Sequence, residues 1–275
     1  MINLSSLTDL PSPGQSTFGY FSASSQLPCL IYRPNNLKCT SQIIVAVHGI
    51  SRNVEQQLEA YKVLAETHGL WLIAPLFLKE EFPSYQRLAV TSKQNRADLA
   101  LNRALLSFRT LINAPDLKIH LCGYSGGAQF AHRYALLYPH SILSITLVSA
   151  GWYTLIDAKI EHPLGLKLWP TWLGKLKTDA FLQLPILVLV GTHDTTRDKS
   201  LRQSKELDRL QGSNRLERAS FWAQSTNLAK QLYGHPTDVS IKLLEKQTHD
   251  FQENAKNSDM LMLISQFWQT TQGVH

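Results

Sequence analysis

Short apolar runs alternate along this chain with longer stretches of helical spacing, and that alternation sets the expected fold. Residues 27–32 read as an early strand, ended by Pro34-Asn35-Asn36. Ile43-Ile44-Val45-Ala46-Val47 is a continuous, largely β-branched run, the pattern of a strand buried on both faces. Residues 54–67 follow with helical spacing and are closed by His68-Gly69; residues 70–74 form the next apolar run, stopped by Pro75. Residues 97–111 predict a long amphipathic helix, residues 119–122 a buried strand, and residues 128–137 a helix ending before Pro139. Strands at 142–148, 186–190 and 239–244 complete the series, with a long helical stretch over 216–233. Apolar strands alternating with helices imply a parallel sheet covered on both faces. In such sheets functional groups collect at the carboxyl ends of the strands.

One segment breaks the rhythm. Residues 151–179 carry Trp152, Tyr153, Pro163, Trp169, Pro170 and Trp172 with no clean periodicity. That is too long for an ordinary connection, so a short cap or lid is expected there, inserted in a single domain spanning residues 1–275.

Composition narrows the picture. A chain of 275 residues with 44% hydrophobic content can bury a core that needs neither disulfides nor metals. The formal net charge is +6, but no run of five like charges occurs, and the densest basic cluster (Arg197, Lys199, Arg202, Lys205) is interrupted by acids. This reads as a solvated basic surface, with an anionic substrate or partner as the alternative and nucleic acid not expected. Cys29, Cys39 and Cys122 form no disulfide framework and no metal-ligand spacing, and no cofactor motif appears. The N-terminus lacks a basic segment followed by an apolar run, and no stretch reaches the ~18 apolar residues of a membrane span. The expectation is a cytoplasmic protein without a membrane span, although a mature secreted chain would look similar.

The chemistry lies in four places. Gly123-Tyr124-Ser125-Gly126-Gly127 follows an apolar strand and opens a helix, which is the setting that G-x-S-x-G requires to lift a serine hydroxyl above a sheet. A serine hydroxyl needs a base at neutral pH. Of the ten histidines, His249 follows the last strand on a loop and precedes a C-terminal helix. His120 sits inside a strand, His132 and His140 lie on or after the helix behind the serine, and His235 precedes Pro236 on the opposite edge. Asp194, just past the strand at 186–190, is placed to orient the imidazole, with Asp198 as its rival. The backbone N–H groups of Ile50 and Gly126 are the expected oxyanion donors. His48 is read as bracing that loop, and Arg52 either as part of a structural ion pair or as a contact for a substrate carboxylate. Trp152 and Tyr153, leaving the strand at 142–148, are the candidate substrate-binding residues; packing of a lid onto the core is the competing role.

The motifs Val45-Ala46-Val47-His48-Gly49, Gly123-Tyr124-Ser125-Gly126-Gly127, Gly191-Thr192-His193-Asp194 and Thr248-His249-Asp250-Phe251 resemble those of the α/β-hydrolase superfamily, from about residue 27 to the end. Within it, the H-G and the glycine after the serine turn look similar to bacterial esterases and polyhydroxyalkanoate-depolymerase-like proteins. The sequence departs from the lipase/esterase H-G-G-G pattern, since Ile50-Ser51 follow His48-Gly49. The resemblance implies an α/β fold with an eight-stranded, mostly parallel sheet, helices on both faces, and catalysis through an acyl-serine. A carboxylic-ester hydrolase acting on a small-molecule ester is the leading expectation. A thioesterase, amidase or peptidase with the same triad is the second, and a ligand-binding protein on this scaffold the third.

Overall fold

The computed structural model describes residues 10–21, 27–38, 41–235 and 237–272. Cys39, Pro236 and the extreme N-terminus, which entered the sequence reading, lie outside them. The strands are β1 (Ser16–Gly19), β2 (Cys29–Tyr32), β3 (Gln42–Val47), β4 (Trp71–Pro75), β5 (Lys118–Tyr124), β6 (Ile142–Val148), β7 (Ile186–Gly191) and β8 (Ser240–Leu244). They form one eight-stranded sheet in the order β1-β2-β4-β3-β5-β6-β7-β8. β1 and β2 pair antiparallel, as do β2 and β4, while every pairing from β4 through β8 is parallel. The helices are α1 (Val54–His68), α2 (Ala97–Leu111), α3 (Gly126–Leu137), α4 (Thr178–Leu182), α5 (Lys205–Gln211), α6 (Arg215–Leu232), α7 (Phe251–Asn257) and α8 (Met260–Gln272).

The apolar runs of the interior strands are unbroken because those strands feed two cores. Along β3, Ile43, Val45 and Val47 enter one core, with residues of α2, α3 and α6. Ile44 and Ala46, pointing the other way, enter a second core with residues of α1 and α8. This mostly parallel sheet with helices on both faces is the architecture expected from the sequence. Among the elements not legible there are β1 and α5. β1 is short and half-exposed and lacks an apolar run, so its residues gave no strand signal. The helical stretch expected at 216–233 is preceded by a separate helix, α5, which Gly212 ends before Asn214 caps α6.

Residues 151–179 form turns, one 3-10 turn at Thr171–Leu173 and the start of α4 rather than an independent layer. Their backbone is tied to the body: Trp222 Nε1 donates to the Thr154 carbonyl (3.0 Å), Arg96 Nη2 to the Leu173 carbonyl (2.9 Å), and Lys177 N to the Leu136 carbonyl (2.8 Å). Among the described residues, no helix is long and apolar enough to cross a membrane. Cys29 and Cys122 are free and buried.

His120 of β5 shows how polar side chains are accommodated in the second core. Its ring stacks on Trp268 of α8 at 4.5 Å and bonds the Ser144 hydroxyl at 2.8 Å. Burial, with a smaller push from His68, lowers its pKa from 6.5 to about 3. The unfolded chain therefore takes up the proton before the folded one, and stability falls as pH drops from about 6.5 toward 3. The expected loss attributable to His120 between pH 7 and pH 5 is about 2 kcal/mol. Urea denaturation at both pH values should show a drop that is smaller by about this amount in His120→Gln.

Candidate active site

The site is built where β3, β5, β7 and β8 end. β5 runs through Tyr124 into Ser125, whose backbone is forced to φ 52°, ψ −109° before α3 begins at Gly126. A non-glycine residue held there is strained. The turn is pinned by Ser125 N donating to the Val148 carbonyl at 2.8 Å. It is possible only because α3 starts hard against β3: a Cβ on Gly127 would stand 2.1 Å from the Val47 carbonyl oxygen.

The next two loops are tied to one another. A Cβ on Gly191 would lie 2.1 Å from the Gln247 carbonyl oxygen, so glycine there lets the chain after β8 approach the chain after β7. Thr192 N donates to the Leu244 carbonyl (3.0 Å), His193 N to the Gln247 carbonyl (2.9 Å), and Lys246 N to the Thr192 hydroxyl (2.8 Å). The Gly191-Thr192-His193-Asp194 motif is thus a clamp on the loop that carries His249.

With both loops fixed, three side chains meet. Ser125 Oγ lies 3.1 Å from His249 Nε2, and His249 Nδ1 lies 3.0 Å from Asp194 Oδ2. Asp194 is buried and its other oxygen faces Arg215 Nη1 at 3.4 Å. Tyr124 stacks on the imidazole with ring centroids 5.1 Å apart and in turn contacts Phe251. Asp198 does not reach the histidine. Its carboxylate accepts from the backbone N–H groups of Ser200 and Leu201 and from the Ser200 hydroxyl, and lies 3.6 Å from Arg215 Nη2.

The Ile50 and Gly126 N–H groups donate to no protein acceptor among the described residues, and Ile50 lines the cleft beside Ser125. A Cβ on Gly126 would sit 3.3 Å from the Ile50 nitrogen, so the two amides are close neighbours. His48 braces this loop from below. Its Nδ1 donates to the Gly49 carbonyl (2.8 Å), its Nε2 accepts from Phe77 N (3.1 Å), and its own carbonyl accepts from the Tyr85 hydroxyl (2.8 Å). Burial lowers the His48 pKa to about 4, and the neutral ring is the form these two bonds require.

Two expectations need correction. Arg52 has no carboxylate within ion-pair distance among the described residues; it donates to the Ile50 and Phe82 carbonyls and lies over the Tyr85 ring at 5.1 Å. Trp152 and Tyr153 do not wall the cleft above Ser125. Tyr153 is fully buried and stacks on Trp222 at 4.8 Å, while its backbone bonds Gln211. Trp152 is also buried, packed with Leu164 and Leu207. The cleft, of about 290 Å³, is lined instead by Gly49, Ile50, Ser51, Gln56, Tyr124, Ser125, Ser200 and residues 249–252, where the His249 loop enters α7. Sequence reasoning missed Tyr85, Tyr124 and Arg215. Tyr124 had a usable signal in its place beside the serine; Arg215, on α6, had none.

No family model matches the sequence, and no curated protein matches it. Solved structures do. Poly(aspartic acid) hydrolase-1 from Sphingomonas sp. KT-1 is 22% identical, with 94% of this chain and 100% of that one aligned and a TM-score of 0.77. The LpqC poly(3-hydroxybutyrate) depolymerase from Bordetella parapertussis is 24% identical over 93% and 90% of the two chains, with a TM-score of 0.74. S-formylglutathione hydrolase from Agrobacterium tumefaciens aligns over 97% of this chain at 12% identity and a TM-score of 0.58, covering 98% of its own length. These neighbours are α/β-hydrolase-type enzymes, and the chain has their fold.

The Asp194–Arg215 pair is buried on both sides, so removing the cation leaves an uncompensated charge. Arg215→Met is expected to cost roughly 3–5 kcal/mol in a denaturant titration, against under about 1 kcal/mol for Asp198→Asn at the half-exposed partner.

Proposed function

We propose that this α/β-hydrolase-fold chain is a serine hydrolase that cleaves carboxylic esters through an acyl-serine intermediate. The observation that carries this reading is the unbroken line Ser125 Oγ–His249–Asp194, with contacts of 3.1 and 3.0 Å, opening on a cleft lined by Ile50, whose N–H, like that of neighbouring Gly126, has no protein acceptor among the described residues. The fold is shared with the hydrolases and the depolymerase named above; the reaction is argued from the site.

Ser125 Oγ attacks the acyl carbon as its proton passes to His249 Nε2. Negative charge then develops on the former carbonyl oxygen. The Ile50 and Gly126 N–H groups serve it, already in place and requiring no reorganisation. Asp194 accepts from His249 Nδ1–H, which fixes the tautomer that leaves Nε2 free as a base and steadies the imidazolium that follows. Arg215 acts through Asp194 by holding its carboxylate in place. His249 next delivers the proton to the leaving alcohol, and water repeats the sequence to release the acid. The backbone strain at Ser125 keeps the hydroxyl projecting from the turn. A cleft near 290 Å³ is at the small end for ligand sites and suits a compact group beside the serine.

A fluorophosphonate probe should label the wild-type protein and leave Ser125→Ala unlabelled; an unlabelled wild type or a labelled variant overturns the reading. With a p-nitrophenyl ester, Asp194→Asn should lower kcat by about 10⁴-fold, the cost of presenting the wrong imidazole tautomer. Asp198→Asn, which does not touch the histidine, should stay within about tenfold of wild type.

A further inference from the structure

Three arginines are among the most buried side chains of this protein: Arg133, Arg215 and Arg218. Two of them have acids. Arg215 faces Asp194 and Asp198, and Arg218 pairs with Asp208 at 2.8 Å. Arg133 has none among the described residues. Its Nη1 donates to the Gln86 and Gln129 carbonyls (2.8 and 3.0 Å) and its Nε to the Thr154 hydroxyl (3.0 Å), while its buried Nη2 has no partner.

Further positive charge gathers around it. The Arg133 guanidinium lies 4.1 Å from the centre of the Trp152 ring, and that of Arg202 lies 4.9 Å from the same ring. Arg87 follows Gln86, the residue whose carbonyl Arg133 holds, and its own Nε is buried without a partner. Neither Arg87 nor Arg202 has a carboxylate within ion-pair distance among the described residues. Burial first, then the charges of Arg87 and Arg202, disfavour the charged form of Arg133. A guanidinium keeps its proton in proteins, so this cost persists until an anion offsets it. Carbonyl contacts and a ring face offset part of that cost; they leave a buried N–H, two further arginines and no negative charge.

We propose that Arg133, Arg87 and Arg202, arranged about Trp152, form an anion subsite that takes a carboxylate-type oxyanion, with Arg133 as its floor, half-buried Arg87 as a wall and exposed Arg202 as the rim. Planar, forked donors suit the two oxygens of a carboxylate. The position ties the subsite to the serine. Ser125, Gln129 and Arg133 fall at successive turns of α3, and the Arg133 side chain leans back to the Gln129 carbonyl. Arg133 lies two turns, or ~12 Å of helix axis, beyond Ser125, and its guanidinium leans back over part of that interval. A substrate whose carboxylate lies several bonds from the scissile carbonyl would span that interval. The substrate-selecting role rests on the esterase reading above, whereas anion binding itself does not.

The experiment separates the two. Thermal unfolding of Ser125→Ala is followed with succinate and with neutral succinamide at matched ionic strength. Succinate alone should raise Tm, and Arg87→Gln or Arg202→Gln in the same background should abolish the shift. These variants are chosen because Arg133→Gln risks misfolding. In the Ser125 protein, p-nitrophenyl monoesters of succinate, glutarate and adipate are compared with uncharged esters of equal length. Each arginine variant should lower the anionic-to-neutral ratio of kcat/KM by about tenfold. No succinate-specific shift, or a shift that both variants retain, overturns the anion site. A shift that the variants abolish, with an unchanged ester ratio, overturns its role in substrate selection. The same shift with no ester hydrolysed by the Ser125 protein upholds the anion site and defeats the esterase reading instead.

Discussion

Everything at the reactive edge depends on how closely α3 can start against the end of β3. The Gly127 α-carbon sits where any side chain would collide with the Val47 carbonyl oxygen, and that contact leaves the chain one residue in which to turn. Ser125 absorbs the turn at positive φ and is held there by its N–H bond to Val148. Strain of this kind costs of order 1–3 kcal/mol and persists only where the surroundings over-determine it. Here they do, since β3, β5 and β6 all lie in the interior of the sheet and are fixed on both sides. The serine's position is therefore a property of the whole sheet rather than of a local loop.

A second close approach does the same for the base. Without a side chain at Gly191, the Gln247 backbone passes directly over the end of β7, and Thr192 fastens both ends of the crossing. The imidazole is then oriented from three directions: Asp194 at Nδ1, the Tyr124 ring against its face, and Ser125 at Nε2. Tyr124 thus links the two halves of the site, since the residue before the serine also packs against the histidine. Chemistry and packing are served by the same few residues, and a change to either glycine would disturb both.

Much of this was legible in the sequence because glycine patterns and strand ends are local signals. The order of serine, acid and histidine after successive apolar runs pointed to one edge of a sheet, and the short apolar runs gave the six parallel strands, β3 through β8. What was not legible depends on partners distant in sequence. Asp194 and Asp198 are four residues apart with similar turn chemistry and both face Arg215; what separates them is the His249 loop, which reaches Asp194, while Asp198 bonds Ser200 and Leu201. Trp152 and Tyr153 leave a strand at the active edge, which made them plausible walls. Their fate was set by Trp222, Gln211, Leu164 and Leu207, none of them local to the strand end. β1 was missed because an edge strand paired on one side needs no apolar run.

The arginines extend this reasoning from position to charge. A net charge of +6 without like-charge runs reads from the sequence as a solvated surface, and for the exposed lysines that description is adequate. It fails for the interior, where three guanidinium groups are withdrawn from water. Two sit where a carboxylate also serves the structure: Arg215 steadies Asp194, and Arg218 joins α6 to α5 through Asp208. Arg133 stands apart from this economy, since the residues packed on it are a tryptophan, backbone carbonyls and more arginine. A core that supplies acids for its two other fully buried arginines, and leaves the guanidinium on α3 with an unpartnered N–H beside two further arginines, has left a charge for something outside the chain to balance. The position of that imbalance, on the helix that Ser125 caps, is what connects it to the reaction.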